Sequence, residues 1–200
     1  MGTSPQTFIF IGRSGCGKGT QADLLSTYIR EVDSQKRDIF YMEIGKKFRE
    51  YLNEDTYTTA LSKEVYKKGD LQPDFLAIHI WSHSIIADYN GLDHMIVDGI
   101  PRSLIQANVF ETAMNFYNKK EVIAINLDVS EEWSRARLAA RGRADDKDPN
   151  EIENRLAWFK RDVIPAIDYF RENNRYRVLD IHGEQSIEEV HKEIISKITL

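Results

Sequence analysis

Cysteine is almost missing from this chain of 200 residues: Cys16 stands alone. One thiol excludes an intramolecular disulfide and any zinc site built on several cysteines, and it fits a reducing compartment. No apolar run approaches the length needed to span a bilayer. The first residues lack a basic segment followed by an apolar core, so no secretory signal is read there. An acylation signal is not read either, because Gln6 stands where Ser or Thr is required. Basic charge is not in excess: 27 Lys and Arg against 32 Asp and Glu leave a formal net charge of −5, which argues against a general nucleic-acid binder. Internal repeats and low-complexity linkers are not found. These absences lead to the expectation of a cytoplasmic, monomeric, single-domain protein over 1–200, with neither nucleic acid nor membrane as a partner.

The densest signal is Gly12-Arg13-Ser14-Gly15-Cys16-Gly17-Lys18-Gly19-Thr20-Gln21. It follows the apolar run Phe8-Ile9-Phe10-Ile11 and leads into residues with helical spacing. Strand, glycine-rich turn, lysine and helix start together make a cradle for a chain of phosphates. Glycines allow the loop to turn its N–H groups inward. The helix N-terminus adds partial positive charge, and Lys18 adds a full one. The plainer alternative, a glycine turn with a surface lysine, does not account for the flanking strand and helix. In the common phosphate loop Ser or Thr follows the lysine directly, to hold magnesium; here Gly19 occupies that place and Thr20 comes one later. Cys16 reads as a small loop residue rather than a nucleophile.

Along the chain, strands are expected at 7–11, 38–42, 94–98, 121–127 and 176–181, with helices between them. Between the second and third strands lies a long helical excursion, which a plain β-α-β crossover does not need. Within it a helix over 56–68 places Leu61, Val65 and Tyr66 on one side. A long helix over 151–171 is expected to bend at Pro165. The alternation predicts an α/β fold with a five-stranded parallel sheet flanked by helices, and a ligand at the carboxyl ends of its strands.

Asp98 closes the third strand near the phosphate loop. That is where a nucleotide site holds magnesium, although a cap for the following helix is the alternative. Arg49, Arg102, Arg137, Arg141, Arg143 and Arg155 recur after strands and beside breaks, and guanidinium forks suit phosphate oxygens. Any one of them alone reads as a solvated charge. No His-Arg-Asp catalytic loop and no obvious base accompany them. A phosphate acceptor needs none, because its second pKa is about 6 and it is largely ionised at neutral pH. His79 and His83, four apart, read as an ordinary helix face. The acidic run Asp145-Asp146-Lys147-Asp148 lacks the glycine and distal glutamate of a calcium loop.

In order along the chain, the loop 12–21, Asp98-Gly99-Ile100-Pro101-Arg102 with Gln106-Ala107, Arg137-Leu138-Ala139-Ala140-Arg141, Arg143-Ala144-Asp145-Asp146 and Arg155-Leu156 resemble the motifs of the nucleoside monophosphate kinases. Within that family they resemble the adenylate kinases of short-lid type. The resemblance covers nearly the whole chain. It implies a P-loop NTPase fold with a helical monophosphate-binding insert at 43–72 and a minimal lid at 141–150, and transfer of a phosphoryl group from ATP to AMP with Mg²⁺. It further implies that Gly15, Cys16, Gly17, Lys18, Gly19 and Thr20 bind the ATP phosphates and that Arg137 lies against the ATP adenine. Ile44, Gly45, Arg49, Gln72, Gly99, Arg102 and Gln106 would bind the monophosphate, with Gln106 reading its base. Arg141, Arg143 and Arg155 would surround the transferring group, Asp145 and Asp146 would orient the arginines, and Asp98 would hold the metal through water. The short lid carries no zinc ligands.

Two departures mark the acceptor segment: Ile44 replaces a hydroxyl residue and Lys46 reverses a charge. Gln72 stands where an apolar residue is usual. A kinase of the UMP/CMP type with the same fold is therefore kept as an alternative, and a nucleotide-binding protein without transfer activity as a more distant one. The amide of Gln106 pairs with adenine in one orientation and with a different base when turned over.

Overall fold

The computed structural model describes residues 4–142 and 148–198. Arg143, Asp145 and Asp146, three of the residues singled out above, lie outside them. Five strands, β1 (Thr7–Gly12), β2 (Ile39–Glu43), β3 (His94–Asp98), β4 (Val122–Asp128) and β5 (Tyr176–His182), form one sheet. The order is β2-β3-β1-β4-β5 and every neighbouring pair is parallel. The parallel five-stranded sheet expected from the sequence is thus present.

Both faces of the sheet are covered, which is why β1 reads as an unbroken apolar run rather than an alternating one. Phe8 and Phe10 pack with Leu25 and Ile29 of α1 (Lys18–Val32) and with Val190 and Ile194 of α9 (Ile187–Lys197). Ile9 and Ile11 point the other way. They join a second core with Trp81 and Ile85 of α4 (Asp74–Asp88), Phe110 of α5 (Leu104–Phe116) and Phe170 of α8 (Ile164–Glu172). Register brings the strand ends level: Asp98 lies beside Phe10 on one side and Glu43 on the other, and Gly12 lies beside Leu127. The carboxyl end of the sheet therefore collects the phosphate loop and two carboxylates.

Two helices, α2 (Ile44–Tyr51) and α3 (Tyr57–Lys67), lie between β2 and α4. The apolar side expected for α3 is not what it buries. Thr59 and Ser62 are its buried residues, and Leu61 is 53% exposed. The helix is held by polar contacts instead. Thr56 and Thr59 close a capping box at its start, and the Ser62 hydroxyl donates to Gln72 Oε1 at 2.6 Å.

The single bent helix expected over 151–171 is also revised. It is α7 (Pro149–Trp158), a π-helical segment at Phe159–Val163, and then α8. Pro165 has no N–H to give to the carbonyl one turn back, and the wider turn just ahead of it takes up that break in the hydrogen-bond ladder. Between β4 and α7 runs α6 (Glu131–Arg141), whose N-cap Ser130 accepts from the Trp133 N–H. Among the described residues no helix is long and apolar enough to cross a membrane.

Candidate active site

A cleft of about 600 Å³ opens at the carboxyl ends of β1, β2 and β3. Its floor is the turn between β1 and α1. Gly12 there has φ +146°, and a Cβ would fall 2.6 Å from the Leu127 carbonyl oxygen and 2.8 Å from Cys16 Sγ, so no larger residue fits. The turn is braced from outside. Ser134 Oγ donates to the Ser14 carbonyl at 2.5 Å, and the Arg13 guanidinium donates to the Val129 carbonyl while stacking over Phe159. Lys18 reaches back across the loop, its ammonium donating to the carbonyls of Gly12 and Arg13 at 2.9 and 3.0 Å. A phosphate in the loop offers the same donors a stronger acceptor.

Cys16 is buried behind the loop and is not part of the cleft wall. Burial pushes its thiol up from the ordinary range, with Lys18 opposing, so the sulfur is a protonated packing group at neutral pH.

On the facing wall two arginines converge. Arg102, just after β3, donates through Nε to the Gly99 carbonyl at 2.8 Å, and its guanidinium lies over the Trp158 ring. Burial lowers its proton affinity, yet a guanidinium keeps its charge over any ordinary pH. Arg49, in the last turn of α2, pairs with Glu43 at 2.9 Å. Arg155 on α7 is buried and close enough to Arg102 for their charges to oppose, and Arg137 and Arg141 on α6 also line the cleft, Arg137 next to Gly15 of the loop. Arg137 also lies over the Trp133 ring.

Asp98 is 7% exposed and lines the cleft with Asp23, Tyr41 and Glu43. Burial raises its carboxyl above the usual range; Lys18 works against this, and Glu43 adds to it. Burial, then the charges of Asp98, Asp23 and Glu43, push the Tyr41 phenol upward as well.

The structure therefore brings Gly15, Gly17, Lys18, Gly19, Thr20, Gly45, Arg49, Gln72, Asp98, Gly99, Arg102, Gln106, Arg137, Arg141 and Arg155 to one cavity. Ile44 is not among its lining residues. Apolar and branched, it is 1% exposed and packs in the core with Met42 and Phe48. Gln72 is on the wall, but both ends of its amide are tied to Ser62.

Several contacts at and behind the wall were not foreseen from the sequence. Trp158 underlies Arg102, and its indole N–H donates to the Gly69 carbonyl at 3.1 Å. Asn154 Nδ2 donates to the neighbouring Lys68 carbonyl at 2.7 Å. Gly69 has φ +67°, and a Cβ there would fall 2.6 Å from the Glu151 carbonyl oxygen. The turn between α3 and α4 is thus clamped on α7, a contact that only the chain's return in space creates.

A family model described as adenylate kinase matches residues 10–175. The adenylate kinase of Prochlorococcus marinus (strain MIT 9301) is 29% identical over 190 residues, covering 95% of this chain and 97% of that one. Adenylate kinase 1 of Nostoc sp. (strain PCC 7120) is 31% identical over 186 residues, covering 93% and 95%. The adenylate kinase of Corynebacterium aurimucosum is 28% identical over 185 residues, covering 92% and 94%.

Proposed function

The chain belongs to the adenylate kinase family, and on that premise we propose that it transfers the terminal phosphoryl group of ATP to AMP, reversibly, giving two ADP. One observation carries this reading: a single cleft holds a phosphate loop with Lys18 on one side and Arg49, Arg102 and Arg155 on the other. One set of cations suits a triphosphate, and the other suits a second phosphate facing it. Phosphoryl transfer asks the protein mainly to position two anions in line and to neutralise the charge between them.

Lys18 exchanges its loop carbonyls for the oxygens of the transferring group. Arg49 and Arg102 hold the acceptor phosphate, Arg102 stiffened from behind by Gly99 and Trp158. Arg141 and Arg155 flank the transferring group, and Arg137 lies against the donor base. No side chain has to take a proton from the acceptor, because the acceptor phosphate is already ionised.

The residues also fit a magnesium ion. Asp98 is a buried carboxylate next to Gly19 of the phosphate loop, and Thr20 lines the same cleft. Among the described residues no group of three or more acidic, His or Cys side chains is placed to enclose a metal. That suits an ion that keeps several waters and takes one or two carboxylates plus phosphate oxygens. Bound there, Mg²⁺ supplies charge neutralisation on the donor phosphates.

Purified protein with ATP, Mg²⁺ and a panel of AMP, GMP, CMP, UMP and dTMP tests the reading. ADP is expected, fastest with AMP. No turnover with any acceptor removes the kinase reading; fastest turnover with CMP or UMP moves the chain to the pyrimidine type.

A further inference from the structure

We propose that Asp74 sets which base the acceptor half takes, by locking the side-chain amide of Gln106 in one of its two orientations; this rests on the kinase reading above. Gln106, in the first turn of α5, is 2% exposed and lines the cleft. Its Oε1 accepts the backbone N–H of Arg102 at 3.0 Å, and its Nε2 donates to Asp74 Oδ1 at 2.9 Å. The same Oδ1 accepts the Ser103 hydroxyl at 2.7 Å. Asp74 is the first residue of α4 and Ser103 is the N-cap of α5, so the carboxylate ties the starts of two helices together.

The partners decide the orientation. A backbone N–H only donates and a carboxylate only accepts. Turning the amide over would set N–H against N–H at Arg102, and oxygen against oxygen at Asp74. Both mismatches would fall on the buried amide of Gln106 and on half-buried partners, where an unmade hydrogen bond is only partly replaced by water. Ser103 helps indirectly, because its hydroxyl holds the Asp74 carboxylate in place.

Two hydrogen bonds leave the amide with one lone pair on Oε1 and one N–H on Nε2. That residual pair matches an exocyclic amino group next to a ring-nitrogen acceptor, the edge of adenine. It opposes a carbonyl next to a ring N–H, the edge of hypoxanthine. AMP and IMP have the same size and the same phosphate, so they isolate this effect.

The test is kcat and KM for AMP and for IMP with saturating ATP and Mg²⁺, and calorimetric affinity for each, in the unaltered protein, Asp74→Ala and Asp74→Asn. The unaltered protein is expected to favour AMP by at least about a hundredfold in kcat/KM. Asp74→Ala should narrow that ratio about tenfold, through KM, with kcat for AMP changing by less than about threefold. Asp74→Asn keeps an acceptor oxygen and should restore most of the ratio, which general loosening of α4 would not do. The proposal is overturned if folded Asp74→Ala keeps the original ratio. It is also overturned if the unaltered protein takes IMP as readily as AMP, a result that needs no variant. Failure to phosphorylate any monophosphate would instead defeat the kinase reading, and the calorimetric AMP-to-IMP ratio would still decide the lock.

Discussion

Glu43 holds Arg49. The carboxylate at the end of β2 pairs at 2.9 Å with the guanidinium in the last turn of α2, and both lie on the cleft wall. On the proposed reading, an acceptor phosphate displaces that carboxylate from Arg49 and arrives beside a like charge. Each side chain is about a third exposed or more, so solvent screens the pair and it is worth at most ~1 kcal/mol. Glu43→Gln should therefore lower KM for AMP about two- to fivefold, with little change in kcat. Initial rates across an AMP series check this; a higher KM would show that Glu43 assists binding rather than competing with it.

Lys18 carries the only ammonium on the cleft wall among the described residues. Lys18→Ala should reduce kcat about 10³-fold, the scale on which a preorganised charge at a reacting group acts. The loop is braced independently by Arg13 and Ser134, so the circular dichroism spectrum and thermal midpoint should stay close to those of the unaltered protein. Retained turnover would place the donor phosphates elsewhere.

Asp98 should trade stability for activity. Burial raises its carboxyl pKa in the fold, so the native state binds the proton more tightly than the unfolded chain does. Its contribution to stability is complete below the unfolded pKa and is lost as pH rises through the raised folded value. At neutral pH the buried charge opposes folding. Asp98→Asn should raise the thermal midpoint at pH 7, about 2–4 °C for each kcal/mol relieved, and cut Mg²⁺-dependent turnover about 10²-fold. A lower midpoint would mean that the carboxylate has a stabilising partner in the fold.

The opposite sign holds at Asp33, at the other end of the sheet. It accepts from the Arg37 guanidinium at 2.6 and 3.0 Å and from the Arg37 backbone N–H at 2.8 Å, and His94 approaches it at 3.5 Å. Hydrogen bonding to the Arg37 side chain is the main cause that holds its carboxyl well below the usual range. The resulting stability is present above the unfolded value, about 3.9, and is lost as pH falls towards the depressed folded value. Asp33→Asn should lower the urea midpoint at pH 7, and the gap to the unaltered protein should close on acidification below about pH 4. A gap that widens on acidification would contradict the assignment.

Much of this architecture is written in short-range patterns. Phe8 to Ile11 marks a strand buried on both faces, because both of its sides meet helices. Ser103, Ser130 and Ser186 mark helix starts, because each hydroxyl caps the turn three residues ahead. Leu61 misled, because a helix held through Thr59 and Ser62 has no need to bury its leucine. The π turn before Pro165 was legible only as a bend: the proline removes a donor, but the ladder's response depends on what the helix packs against.

The sequence by itself determined the phosphate loop, the parallel sheet and the supply of arginines near strand ends. Those depend on neighbours within a few residues or on side-chain spacing. Tertiary structure decided how the cleft is populated and tuned. It put Ile44 into the core, set Glu43 on Arg49, slid Trp158 beneath Arg102 and gave Gln106 its partners in Asp74 and the Arg102 N–H. Such pairings arise between groups brought together only when the chain closes, and hydrogen-bond orientation and desolvation act over a few ångströms of space, whatever the separation along the chain.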